Sequence, residues 1–412
     1  MIVPSRRPIT KSVFISLAMD IRLIDYQSTT AAGINIDALA ESIDSQQSGL
    51  RENDLVGCDI DTWIGRVAAV DEIDLGEWQS RNNALAALGL QQGSITENLA
   101  LLKEKYSPAR VGIVMGSSTA SIDRTEEAYR NLNQAGRLTP LFQQRLVHNP
   151  HAPSLFVAHH TGITGPAMTI NTACSSSAKV FATGARWLAQ GVVDAVLVGG
   201  VDTLCLSVMY GFNSLQLISD TVCRPFDQSR NGINLGEAAG YAILMRAEDA
   251  MLDAGVALRG YGESSDAHHM SHPHPEGLGA RLAIQQALKM AELGTQDIDY
   301  INLHGTASQA NDLIEGKLIG SMFPKSTQVS STKAWVGHTL GAAGITESLI
   351  AVDALRRNRV PGSLNLTTLD EQLDLSIQSD NLARPLDYVM SNSFGFGGNN
   401  CCLVFAKTGD YV

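Results

Sequence analysis

Apolar runs ending in small residues recur along the chain: "RVGIVMGSS" from Arg110, "AMTINTA" from Ala167, "DAVLVGGVD" from Asp194, "YINLHGT" from Tyr300 and "QVSSTKA" from Gln328. Runs of this length and composition predict parallel strands covered on both faces. Between them the period lengthens. In "SSSAKVFATGARWLAQG", Ala178, Phe181, Ala185 and Leu188 recur at helical spacing, and Gly191 is placed to end the helix. "ITESLIAVDALRRNRVPG" repeats the scheme through Leu349, Val352 and Leu355, with basic residues in the last turn and Pro361 beyond. Each helix follows a strand and a loop of chemically reactive residue types, so the layout reads as an internal duplication. One half spans 19–255 and the other 256–412, with no Pro/Ser-rich linker between them, which predicts one rigid body. Residues 124–160 are less regular and read as an excursion that covers a site or builds an oligomer interface.

Composition agrees with an α/β protein. The 412 residues are 44% hydrophobic and 17% charged, with 37 glycines, enough apolar material for two domains or one large duplicated one. A net charge of -12 argues against a nucleic-acid partner, which would call for a basic field. Cys58, Cys174, Cys205, Cys223, Cys401 and Cys402 form neither CxxC pairs nor a dense scaffold, which fits reduced thiols in the cytoplasm. At the start, basic residues precede an apolar run at 13–19. That run meets Asp20 and Arg22 without a cleavage site, so 1–18 reads as an N-terminal extension rather than a signal peptide. No segment has the length of a membrane span, so no membrane insertion is expected.

The candidate chemistry lies at the strand ends. Cys174, in "TINTACSSSAKVF", sits at a strand-to-helix junction, where unpaired helix N–H groups favour an anion and lower a thiol's pKa. A small buried residue at a strand end is the other reading of the same stretch. In the second half, "NLHGTASQANDLIEG" sets His304 at a strand end, followed by Gly305 and the hydroxyls of Thr306 and Ser308, with Asp312 and Glu315 a helical turn apart. "SSTKAWVGHTLGAAG" then supplies Lys333 and His338.

The succession "TACSSS", "HGTASQAND", "STKAWVGHTLGAAG" and "SNSFGFGGNN", together with "CRPFDQSRNGINLGEAAGYAILM", resembles the elongating β-ketoacyl-acyl-carrier-protein synthases from about Leu23 to Phe405. The resemblance implies a thiolase-like fold, two pseudo-equivalent βαβαβαββ halves forming a five-layered αβαβα sandwich. It implies a Cys-His-His enzyme in which Cys174 accepts an acyl group and the backbone N–H groups of Cys174 and Phe396 hold the oxyanion. His304 and His338 would stabilise the enolate left when malonyl-carrier loses CO2. Lys333 would support the histidines, paired with Glu315. Thr306 and Ser308 would hold the phosphopantetheine arm, and Phe396 would gate the acyl pocket. Asp312 and Glu315 would support the site, and Glu237 and Glu347 would fix loops beneath it. No cofactor and no metal are required, since substrates arrive on the phosphopantetheine arm.

The implied partners are an acyl carrier protein and a second subunit, in a homodimer or a heterodimer with a chain-length-factor-like homologue. An acidic carrier calls for local basic residues, for which Arg137, Arg145 and Arg224 are candidates. Residues 124–160 would complete the neighbour's acyl pocket. "HGTASQAND" in place of the commoner "HGTSTPxGD", "GGNN" in place of "GGTN", and "MGSSTASI" in place of a glycine-rich loop shift the resemblance toward ketosynthases of specialised systems, aryl-polyene clusters among them. Chain-length factors lack the active cysteine, which this chain retains. His268, His269, His272 and His274, in "SDAHHMSHPHPEG", match no zinc spacing and read as a loop near the pocket mouth.

Overall fold

Ten strands form one mixed sheet in the computed structural model, which describes residues 20–250, 252 and 254–408. The extension read at 1–18 lies outside the described residues. In chain order the strands are β1 (Ile21–Thr30), β2 (Val111–Gly116), β3 (Ala167–Ile170), β4 (Ala195–Asp202) and β5 (Ala238–Arg246), then β6 (Val256–Ser265), β7 (Tyr300–Asn302), β8 (Gln328–Ser330), β9 (Tyr388–Gly395) and β10 (Asn399–Lys407). Across the sheet they run β8-β7-β9-β10-β6-β1-β5-β4-β2-β3.

Each set of five has the same order, third-second-fourth-fifth-first, and the same directions. β2 runs parallel to β3 and β4 while β5 is antiparallel to β4 and β1; β7 runs parallel to β8 and β9 while β10 is antiparallel to β9 and β6. The duplication expected from the apolar pattern is therefore present in the topology. The two sets join through the short register Ile21↔Leu258 and Arg22↔Ala257.

Successive strand residues bury opposite faces, which builds the layers. Ile113 and Met115 pack outward against α1 (Arg81–Leu90), α2 (Ile95–Tyr106) and α3 (Ala152–Thr161), whereas Val114 packs inward. Inward lies α4 (Ser176–Ala189). In the second half, Cys402 and Val404 face α5 (Leu278–Ala291) and α6 (Gln309–Met322), whereas Cys401, Leu403 and Phe405 face the middle. There α7 (Ala343–Arg357) lies beside α4, buried on every side from Ala343 to Leu355. Outer helices, the first set of five strands, the central pair α4 and α7, the second set of five strands and the helices α5 and α6 make the five layers.

The two central helices approach backbone to backbone. A Cβ on Gly344 would fall inside contact distance of the Ala178 backbone nitrogen, which cannot swing away. Gly344→Ala is expected to cost about 3 kcal/mol of stability in urea unfolding, because overpacking here pushes against backbone.

The segment 124–160 is more regular at its ends than its sequence suggests: a helix runs Ile122–Arg130 and α3 begins at Ala152. Between them lie turns and one short 3-10 turn, Pro140–Phe142. Tyr129, Leu132, Leu138, Leu146 and Leu155 are exposed in this region, an apolar display a single chain leaves uncovered. No helix among the described residues is long and apolar enough to cross a membrane.

Candidate active site

Cys174 stands on the turn between β3 and α4. Ala173 turns the chain in the left-handed region at φ +53°, Thr172 N–H donates to Ser176 Oγ at 2.9 Å, and Ser176 N–H donates to Ala173 O at 3.0 Å. A left-handed alanine costs about 1–2 kcal/mol and is held by its surroundings. From the second half, the loop after β9 presses against this turn. A Cβ on Gly395 would lie 2.8 Å from Thr172 O and 3.2 Å from Cys174 N, so only glycine lets Phe396 approach. The backbone N–H groups of Phe396 and Cys174 both act on the sulfur.

Those donors do not make Cys174 acidic. Burial pushes its thiol up to about 11, outweighing the Lys333 charge and the two N–H groups, and Glu347 adds to the rise. The lowered pKa expected from the helix start is thus corrected: helix N-termini favour an anion, but this sulfur is only 5% exposed. At pH 7 the neutral thiol therefore prevails. Alkylation by iodoacetamide is therefore expected to quicken about tenfold per pH unit from 7 to 10; a plateau below pH 8 would contradict this.

His338 Nε2 lies 3.1 Å from Cys174 Sγ. Its Nδ1 accepts the Leu340 N–H at 3.1 Å, and a nitrogen that accepts carries no proton, so Nε2 bears the hydrogen. Lys333 fixes His304 the same way: its ammonium has three protons and meets His304 Nδ1 at 3.4 Å, His304 O and Glu347 Oε1. His304 therefore also presents Nε2–H. The two imidazoles stand nearly perpendicular, centroids 5.5 Å apart, and ligating atoms of Cys174, His304 and His338 all lie within 4.8 Å of one another. Burial first, then Lys333, lowers both histidines well below the usual value, with His338 also lowering His304, so both are neutral donors. The ammonium and the two N–H groups oppose a cation at this point.

The partner expected for Lys333 is corrected as well. Lys333 pairs with Glu347 on α7, both fully buried, and not with Glu315. Glu315 instead accepts the N–H groups of His304 and Gly305, each at 2.8 Å. Asp312 accepts Phe226 N–H at 2.8 Å and Ala307 N–H at 3.2 Å. These two carboxyls hold the loop that carries His304. Burial pushes Glu315 and Glu347 up to about 7. Glu237 takes Val67 and Leu204 N–H groups and the Arg81 guanidinium, a loop-fixing set away from the sulfur.

Cys174, His304 and His338 line one cleft. Its lining includes the apolar Phe212, Leu215, Leu217 and Ile233 and the polar Thr306, Ser308, Asn311 and Asn400. Thr306 Oγ1 and Ser308 Oγ are bonded at 2.9 Å. Phe396 also lines the cleft, stacked on Phe212 with ring centroids 5.5 Å apart. Ser271, His272 and Pro273 reach the cleft, which puts the histidine-rich loop at its mouth. Arg137, Arg145 and Arg224 do not line it.

The chain matches the family described as "Beta-ketoacyl synthase, N-terminal domain" over residues 63–250 and "Beta-ketoacyl synthase, C-terminal domain" over 256–367. It belongs to the β-ketoacyl synthases. A relative named 3-oxoacyl-[acyl-carrier-protein] synthase 2, from Vibrio harveyi, is 33% identical over 82% of this chain and 86% of its own. Among solved structures, the ketosynthase ApeO in complex with its chain length factor ApeC, from Xenorhabdus doucetiae, superposes with a TM-score of 0.84 and 34% identity, covering 95% of this chain and 98% of that one. A type II polyketide synthase complex of ketosynthase and acyl-carrier protein, AntDE:AntF, gives 0.86 at 20% identity over 95% of this chain and all of that one, a likeness of fold alone.

In this β-ketoacyl synthase, two features escaped the sequence reading. Glu347 as the partner of Lys333 is a tertiary pairing between two separate elements. Phe212 had no signal beyond being an aromatic residue in an apolar helix.

Proposed function

We propose that the chain extends a carrier-bound acyl group by two carbons through decarboxylative Claisen condensation. The observation that carries this is the convergence of two locked imidazole N–H groups on a buried cysteine of the other half.

Cys174 Sγ attacks the acyl thioester, and the oxyanion sits between the Cys174 and Phe396 N–H groups. The carrier thiolate leaves, taking up in net terms the proton the cysteine gives up. A malonyl thioester then places its carbonyl oxygen against His304 and His338 Nε2–H. Its C–CO2⁻ bond breaks, CO2 departs, and the electron pair becomes an enolate held by neutral donors. The enolate carbon attacks the acyl-cysteine, the C–S bond breaks with its electron pair on sulfur, and the Cys174 thiolate takes up a proton from water as the β-ketoacyl product leaves on its carrier. Thr306 and Ser308 hold the phosphopantetheine arm, and no cofactor or metal enters any step. Incubating the protein with acyl-carrier and malonyl-carrier and reading intact masses tests this. An acyl adduct on Cys174 and a product two carbons longer are expected; absence of the adduct would overturn the reading.

The 34% identity to ApeO over nearly the whole chain favours a specialised ketosynthase as a second reading, such as one serving an aryl-polyene or type II polyketide pathway. In it the exposed apolar residues from Tyr129 to Leu155 meet a second subunit, a copy of this chain or a chain-length-factor-like homologue, in the cytoplasm. Six free cysteines suit that compartment. Retention of Cys174 with both histidines weighs against a non-catalytic scaffold.

A further inference from the structure

The C-terminal end of β4 carries a carboxylate outside the reacting trio. Asp202 is fully buried and surrounded by donors. Its Oδ1 accepts from Ser117 Oγ at 2.6 Å, Thr119 N–H at 2.9 Å and Thr119 Oγ1 at 2.6 Å. Its Oδ2 accepts from Ser118 N–H at 2.8 Å, Ser118 Oγ at 2.7 Å and Gly341 N–H at 2.6 Å. All but the last come from the loop after β2. Gly341 belongs to the other half, two residues past Thr339 and next to Leu340.

That last contact reaches the chemistry. Leu340 N–H is the donor that fixes the tautomer of His338. Leu340 holds a left-handed conformation, φ +57°, which a branched apolar residue leaves unless it is restrained. Gly341 supplies the restraint: its N–H is held by Asp202 Oδ2, and it also meets Ser118 Oγ at 3.2 Å. A Cβ on Gly341 would lie 2.6 Å from both Asp202 Oδ2 and Ser118 N, so the turn and the carboxylate are fitted to each other without slack.

We propose that Asp202 is a positioning residue: through Gly341 N–H it clamps the left-handed turn at Leu340 and so keeps His338 in its Nε2–H form, aimed at Cys174. Ser118 is the second point of the clamp. The loop after β2 is thereby tied to the proton position on a histidine more than 200 residues later in the chain. An Asn at 202 would set an amide N–H against donors, open the clamp and let His338 sample the form with its proton on Nδ1.

The chemistry of His338 is that of the proposed condensation, but the test does not need turnover. In ¹⁵N-histidine-labelled resting protein, with the His338 signals assigned by their loss in His338→Gln, wild type is expected to show a protonated Nε2 and a bare Nδ1. Asp202→Asn is expected to mix the two tautomers, and to lower kcat for malonyl-carrier decarboxylation about tenfold with KM within about twofold. A wild-type spectrum with the proton on Nδ1, or an unchanged spectrum in folded Asp202→Asn, overturns the proposal. Where Asp202→Asn does not fold, Ser118→Ala decides: a minor second tautomer supports the clamp, and a spectrum identical to wild type overturns it. A protein that shows the tautomer shift but never condenses would leave the clamp standing and remove the proposed function instead.

Discussion

Condensation is expected to fall by more than about 10⁴-fold in the Cys174→Ala protein, because the acyl group then has no sulfur to rest on and the reaction loses its covalent intermediate. No other cysteine among the described residues lines the cleft. Cys205 and Cys223 are buried, with thiols pushed up further than that of Cys174, and neither lines the cleft. The fold should survive, since one sulfur atom is removed beside a cleft. Cys174→Gln separates the two half-reactions. Its amide oxygen can occupy the place between the 174 and 396 N–H groups, giving the malonyl side the surroundings of an acylated cysteine. That protein should decarboxylate malonyl-carrier to acetyl-carrier at or above the wild-type resting rate, and make no longer product. Mass analysis of the carrier pool reads both outcomes. Condensation by either variant would take the nucleophile away from Cys174.

Lys333→Ala is expected to lower malonyl decarboxylation about 10³-fold, since it frees the Nδ1 of His304 and with it the aim of one of the two N–H donors. Cys174 loses an attractive charge too, so acylation should slow, though less. Breaking a buried pair also costs about 3 kcal/mol, and the sign of its pH dependence is fixed. The Glu347 carboxyl is already pushed up to about 7, and without the ammonium it rises further. Below that pKa Glu347 sits neutral and the loss is small; above it, ionising Glu347 with no partner is opposed and the loss grows. Urea unfolding of the variant against wild type should therefore show a larger gap at pH 8 than at pH 5.5. A gap independent of pH would mean that the pair contributes little.

What the sequence made legible was local. The five strands quoted at the outset lie where their apolar runs fall, and Ala178, Phe181, Ala185 and Leu188 are buried along α4. Cys174, His304, Lys333 and His338 were identifiable through the motifs that carry the family resemblance, each at a strand end or a helix start, and the topology brings those ends together. What stayed hidden depended on distance. The resemblance implied Glu315 as the partner of Lys333; the ion pair goes to Glu347, a buried interior position of α7. The thiol of Cys174 was read from its helix start, whereas burial dominates it. The hydroxyl run Ser117 to Thr119 was visible as a departure from a glycine-rich loop, but the carboxylate that gathers those hydroxyls was not. The arginines chosen for a carrier were chosen by charge alone, and charge gives no position.

The pairing of Cys174 with His338 across 164 positions has a consequence for the protein's manufacture. Contacts that far apart close late, after the local helices have formed. β1 emerges first from the ribosome, yet both of its sheet neighbours are made more than 200 residues afterwards. Until the second half docks, Cys174 lacks the His338 contact and the close approach of the loop after β9, and its sulfur is the more open to water and to oxidants. Completion of the fold closes off the sulfur. The growing chain is thus more easily damaged at its future nucleophile than the finished enzyme, and oxidative loss should fall on the nascent protein rather than on the mature one.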